Sequence, residues 1–186
     1  GFRVSLWQWP YIHYDVALHR TARQRGYLGP PDNGQRVTVL PGLPDADTLD
    51  LTNPEAVPWY KGLVRDVLAK GAMAIKADFG ERIDENALYA NIDASKYRNL
   101  FSLLYQRVIW EVTQEVHEEA VLWGRSGWAG CQRYPVHWAG DSPSTFDGMA
   151  ATLWGGLHLG LSGFAFWSHD VGGFFDPRGL DSVKPS

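Results

Sequence analysis

Residues 72–82 read Ala72-Met73-Ala74-Ile75-Lys76-Ala77-Asp78-Phe79-Gly80-Glu81-Arg82. A run that is apolar apart from Lys76 passes directly into a polar cluster of Asp78, Glu81 and Arg82. Such a run predicts a strand buried on both faces, as strands are in parallel sheets. The segment before it, Trp59–Lys70, places Leu63, Val64, Val67 and Leu68 on one helical face, and Gly71 follows as a C-cap candidate. Pro58 sits awkwardly for a helix starting as early as Asn53, which leaves that start open.

The same alternation recurs outward along the chain. Phe2–Trp7, Ala120–Trp123 and Gly163–Trp167 read as buried strands, with a weaker one ending at His137–Trp138. Lys96–Glu118 carries Leu100, Leu103, Leu104, Val108, Val112 and Val116 on one face. Ser144 and Asp147 resemble a capping box ahead of a helix over Met149–Leu157. The order strand, helix, strand, helix, strand, short strand, helix, strand predicts an α/β fold with a parallel sheet and crossover helices. Gly26–Asp50, with the turn Pro30-Pro31-Asp32-Asn33-Gly34, interrupts it as a loop excursion carrying a small hairpin. The chain's 186 residues are expected to form one domain. A closed (β/α)8 barrel takes about 250 residues, so about five strands predict either an open sheet or a partial barrel.

Composition narrows the function classes. Hydrophobic residues are 45% and charged residues 20%, as in an ordinary globular protein, and the net charge of -4 comes with no basic run. A nucleic-acid partner is therefore not expected, and no stretch is long and apolar enough to predict a membrane span. Nine Trp, eight Tyr and eight Phe exceed what a core of this size calls for, and flat aromatic surfaces suit the apolar C–H faces of sugars. One cysteine, Cys131, excludes an internal disulfide, and no Cys or His spacing predicts a metal site or other cofactor. A bacterial cytoplasmic location fits this reading, and a secreted bacterial protein could look the same. The opening GFRVSLWQW and the close PRGLDSVKPS predict a segment of a longer chain.

Each predicted strand delivers polar residues at its C-terminal end: Lys76, Asp78, Glu81 and Arg82; Arg125 and Ser126; Trp138 and Asp141; His169 and Asp170. Ligands of parallel α/β folds bind at that end. Two carboxylates there suit glycoside hydrolysis, in which one attacks the anomeric carbon and the other protonates the leaving oxygen. Lys76, two residues before Asp78 on the same face, is expected to act as its charge partner. The spacing equally allows Asp78 to cap a turn and Asp141 to cap the helix after Pro143.

Lys76-Ala77-Asp78-Phe79-Gly80-Glu81 resembles the nucleophile motif of glycoside hydrolase family 31, and His137-Trp138-Ala139-Gly140-Asp141 resembles its acid/base motif. Gly160–Phe164 and Phe166–Phe174 resemble its next strand and loop, so the resemblance runs from about Gly1 to Phe174. It implies a (β/α)8 TIM barrel, of which this chain supplies roughly the third to seventh strands, with Asp78 as nucleophile and Asp141 as acid/base. It further implies substrate contacts from Trp7, Lys76, Arg125, Trp138 and Phe174. Asp170 is implied to support Arg125, and His169 to be structural. A substrate-binding Asp of the first strand and a His near the eighth have no counterpart here. Glu81-Arg82 after Asp78-Phe79-Gly80, with the wording PVHWAGD and FWSHD, most resembles bacterial α-xylosidases of the family, whereas Trp7-Gln8-Trp9-Pro10-Tyr11 departs from them. The expectation is thus a retaining hydrolase releasing a terminal α-linked sugar, xylose first, from an oligosaccharide or small glycoside. α-Glucosides come next, and sulfoquinovosides, with Arg133 as the cation, third. Outside this class stand a non-catalytic carbohydrate-binding module, an inactive fragment and a metallohydrolase. Sequence leaves the oligomeric state of the full-length protein open.

Overall fold

A computed structural model of the chain describes residues 2–30 and 45–177. Its elements in order are β1 (Val4–Gln8), β2 (Tyr11–His13), α1 (Ala17–Gln24), β3 (Leu28–Gly29), β4 (Ala46–Leu49), α2 (Ala56–Leu68), β5 (Ala72–Ala77) and α3 (Ala94–Val116). Then follow β6 (Val121–Gly124), a 3-10 turn (Cys131–Arg133), β7 (His137–Trp138), α4 (Phe146–Leu161) and β8 (Trp167–Ser168). β1, β5, β6, β7 and β8 form one parallel sheet in that spatial order. Helices follow β5 and β7 as crossovers, so the fold is the expected α/β one, a partial parallel barrel.

The core lies between this sheet and α2 and α3. Ile75 and Leu122, paired across β5 and β6, face Tyr60 and Val64 of α2 and Phe101, Tyr105, Val108 and Ile109 of α3, all nearly or wholly buried. Side chains alternate along a strand. Residues 73, 75 and 77 therefore point to the helices, and Lys76 and Asp78 to the other face. On that face Trp7, Lys76 and Trp123 stand in register on three adjacent strands. Pro58 falls inside α2, in its first turn, where the backbone N–H groups have no intrahelical acceptor and proline costs little.

The structure alters several boundaries. The predicted strand Gly163–Trp167 shrinks to Trp167–Ser168, because α4 runs on to Leu161 and Gly163, at φ 88°, turns the chain out of it. The N-cap of α4 is Thr145, whose Oγ accepts from the Gly148 N–H at 3.0 Å, and not Ser144. Ser144 instead donates its backbone N–H to Phe175 at 2.7 Å. Ahead of the Gly26–Asp50 excursion lies a helix that periodicity did not reveal, α1, and within the excursion β3 and β4 pair antiparallel, as the expected hairpin, in a second sheet, β2-β4-β3. Most of the turn Pro30–Gly34 lies outside the described residues.

Candidate active site

The sheet aligns its strand ends, so residues following β5, β6 and β7 meet at one edge. Asp78 continues β5, and its N–H donates to the Gln8 carbonyl at the end of β1, 2.9 Å away. Arg125 continues β6 and donates its own N–H to Ala77 at 3.2 Å. Phe79 and Gly80 then both adopt left-handed backbone, φ 57° and 89°. A Cβ on Gly80 would come within 2.8 Å of Ser126 Oγ, so glycine is required there for space as well as for φ. This double turn brings Glu81 back beside Asp78.

Arg125 is the hub of the arrangement. Its Nη1 donates to Asp78 Oδ1 at 3.1 Å and lies 3.5 Å from Asp141 Oδ2, while Nη2 donates to Glu81 Oε1 at 2.9 Å. The guanidinium lies over the Phe79 ring, 4.6 Å from its centroid. Asp78 is 8% exposed and fully engaged: Oδ2 accepts from Trp7 Nε1 at 2.6 Å, and Oδ1 also accepts from the Phe79 N–H at 2.8 Å. Asp141, on a more open loop, has a side chain 42% exposed. One carboxylate is thus held nearly dry and fixed, the other is open to solvent, and one cation bridges them.

Two expectations are corrected. Lys76 is not the charge partner of Asp78; its ammonium sits over Trp138, 4.4 Å from the ring centroid, and 5.7 Å from that of Trp123. Cation–π attraction holds it there, and Arg125 takes the place beside Asp78. Asp170 does not support Arg125, whose carboxylate partners are Asp78, Glu81 and Asp141. Asp170 Oδ2 is buried with no hydrogen-bond partner among the described residues. Trp7 is half-exposed, as a wall would be, whereas Trp138 is 3% exposed with its Nε1 unpaired. Phe174 is exposed on a loop tied to the Asp141 loop, its N–H donating to Ser142 at 2.7 Å. His169 packs on Trp167 with its Nδ1 3.2 Å from the Asp170 carbonyl. A cavity of about 670 Å³ opens beside Arg125 and Trp138, lined also by Ser142 and Trp167. A second, of about 290 Å³, lies beneath the 169–173 loop. Among the described residues no group of three His, Cys, Asp or Glu gathers around a metal-sized gap, and no helix is long and apolar enough to cross a membrane.

Glu81 was visible in the sequence as a strand-end carboxylate and as part of the resemblance, but with no chemical role. A buried relay behind the site was not visible at all. Gln106 of α3 donates its Nε2 to the Ser126 carbonyl, which turns its Oε1 toward His137 Nε2, 3.1 Å away. His137 therefore carries its hydrogen on Nε2 and donates. Burial drives the imidazole down from 6.5 to about 4. Because the folded-state value is the lower one, this stability is complete above pH 6.5 and is lost as pH falls toward 4. The expected loss across that window is about 2–4 kcal/mol. His137→Gln keeps a donor but cannot titrate, so denaturant unfolding across the same window should lose much of its pH dependence. An unchanged dependence in the variant would count against His137 as the source.

A model of the family described as Glycosyl hydrolases family 31 TIM-barrel domain matches residues 1–183. An alpha-xylosidase of Emericella nidulans is 35% identical over 178 residues, covering 94% of this chain and 23% of the relative. Alpha-xylosidase XylQ of Lactiplantibacillus pentosus is 36% identical over 193 residues, covering 98% and 24%. Among solved structures, a sulfoquinovosidase from E. rectale in complex with the aza-sugar inhibitor IFGSQ superimposes with a TM-score of 0.83 at 28% identity. That match covers 92% of this chain and 27% of the other. The chain spans about a quarter of the length of the relatives it matches.

Proposed function

The chain belongs to glycoside hydrolase family 31, and we propose that the protein carrying it is a retaining α-glycosidase that releases terminal α-linked xylose. The observation that carries the reading is the shared nitrogen of Arg125. Asp78 Oδ1 and Asp141 Oδ2 lie 3.1 and 3.5 Å from the same Nη1, so they are no further apart than those two contacts laid end to end. Retaining pairs stand about 5–5.5 Å apart and inverting pairs about 6.5–9.5 Å. This bound, on one oxygen of each carboxylate, favours the retaining spacing.

In this reading Asp78 attacks the anomeric carbon while Asp141 donates its proton to the departing oxygen. A β-linked ester on Asp78 results, and Asp141, now a base, takes a proton from the water that displaces the ester. Trp7 and Arg125, both already bonded to Asp78, hold the attacking oxygens in place. Arg125 is also placed to offer an N–H to a ring hydroxyl.

Two relatives named alpha-xylosidase, at 35% and 36% identity, favour xylose. Sulfoquinovose is the weaker alternative. Arg133 lies with Pro135 and Phe166 around a cavity before β7 and β8, at the strand ends opposite to Asp78, where a sulfonate at the site would not reach. The full-length gene product should be assayed on aryl α-xyloside, α-glucoside and α-sulfoquinovoside. We expect kcat/KM highest on the xyloside, by about 10-fold or more, the discrimination a pocket achieves against one extra carbon substituent. A higher value on the glucoside would move the assignment there, and sugar binding without turnover of any of the three would make the protein a binding module.

A further inference from the structure

We infer that Glu81 is a positioning residue, holding the Arg125 guanidinium so that only one of its nitrogens faces the two aspartates. This rests on the reading of Asp78 as nucleophile. The two terminal nitrogens of Arg125 are divided: Nη2 goes to Glu81 at 2.9 Å, and Nη1 is left for Asp78 and Asp141 at 3.1 and 3.5 Å. A guanidinium beside a lone carboxylate tends to close a two-pronged fork on it. Here the fork does not close on Asp78, because Glu81 holds the second prong. A forked Asp78 would have both oxygens committed to one rigid partner and turned from the substrate. With Glu81 in place, Asp78 Oδ2 accepts only from Trp7 among the described residues.

Three features of the chain serve this arrangement. Phe79 and Gly80 turn left-handed in succession, and a side chain at Gly80 would be strained at φ 89° and crowd Ser126 Oγ, so Glu81 is delivered to this point by a specific backbone path. The Phe79 ring lies against the guanidinium at 4.6 Å and limits its swing. Glu81 Oε2 has no hydrogen-bond partner among the described residues, and with the side chain 36% exposed it is Oε1 that engages Arg125.

Placement and charge separate in two variants. Glu81→Gln keeps an acceptor at the same reach without the charge, and Glu81→Asp keeps the charge but withdraws the acceptor by one carbon. The full-length gene product is treated with 5-fluoro-α-xylopyranosyl fluoride. The Asp78 carboxylate displaces fluoride ion from the anomeric carbon, forming a C–O bond as the C–F bond breaks, and the remaining fluorine slows hydrolysis of the ester. The readout is the first-order rate constant of labelling, with the site read by peptide mass. A smaller folded fraction lowers the amplitude of labelling and leaves that constant unchanged, so a merely structural role does not move it. Glu81→Gln is expected to label within about threefold of wild type and Glu81→Asp at least about 30-fold more slowly, in line with the sensitivity of such reactions to displacements near 1 Å. A gap between the variants of less than about tenfold, or one in the opposite direction, overturns the inference. Wild-type protein that turns over glycosides but is labelled away from Asp78 overturns the nucleophile reading, and this inference with it.

Discussion

Replacement of Asp78 by Ala is expected to lower kcat by about 10⁴-fold or more, because the variant has no group to form the covalent intermediate. The fold should survive it. Asp78 is buried, yet two of the three donors it leaves have another outlet. Arg125 keeps Glu81 and Asp141, and Trp7 is half-exposed, so water entering the vacated space can take its Nε1–H. Only the Phe79 N–H loses a nearby acceptor, at a cost of about 1–2 kcal/mol, which removal of a buried charge partly offsets. The melting temperature should therefore move by only a few degrees. Parallel thermal melts and assays on an aryl α-glycoside decide the matter. Activity within about tenfold of wild type in a folded variant would remove Asp78 from the chemistry.

The convergence of Asp78, Arg125 and Asp141 was legible in the sequence because it depends only on the sheet being parallel. Once Ala72–Ala77, the strand before Arg125 and His137–Trp138 read as neighbours, their C-terminal residues have to meet at one edge. The helices α2 and α3 were legible for a similar reason, since their apolar faces repeat over many turns. What failed was pairing at the level of side chains. Positions 76 and 78 share a face by strand geometry, but that says nothing of what competes for the Lys76 ammonium. Trp123 from β6 and Trp138 from β7 do compete, and they win it. Likewise nothing local in Asp170 or Glu81 tells which carboxylate Arg125 meets. That choice is made by the left-handed turn at Phe79 and Gly80, which the Asp-Phe-Gly-Glu spacing does not reveal.

The small sheet was legible only as a hairpin within Gly26–Asp50, where β3 and β4 pair; its third strand β2 and its exact strands were not, for a different reason. β4, Ala46–Leu49, is wholly buried yet contains Asp47 and Thr48, against the pattern of a buried strand. Asp47 is satisfied by Tyr14 at 2.5 Å, His19 at 2.8 Å and Arg23 at 3.0 Å, all distant in sequence. A buried charge is tolerated when so many donors meet it. None of those partners can be read from the strand itself. β2 and β3, at three and two residues, are too short to show any alternation.

Asp141→Ala should fail in a way that depends on the leaving group. Asp141 stands 3.5 Å from the same Arg125 nitrogen as Asp78, but with a side chain 42% exposed it is open to an incoming leaving group and to water. If it is the proton donor, natural glycosides, whose alkoxide leaving groups need that proton, should lose about 10²–10⁴-fold in kcat/KM, the usual worth of general acid catalysis. Aryl glycosides with acidic phenols depart with little help, so their first step should survive far better. Their second step should then limit the rate, because no base remains to activate water. Added azide needs no deprotonation. It should restore turnover and yield an α-glycosyl azide, the configuration expected from a second inversion on the ester carried by Asp78. Absence of azide rescue, together with equal losses on natural and aryl substrates, would assign Asp141 to binding. Proton NMR of the first sugar released by the wild type closes the argument. A double displacement delivers α-xylose before mutarotation, whereas a β signal appearing first would mean a single inversion, with Asp78 acting as a base toward water and no covalent ester formed.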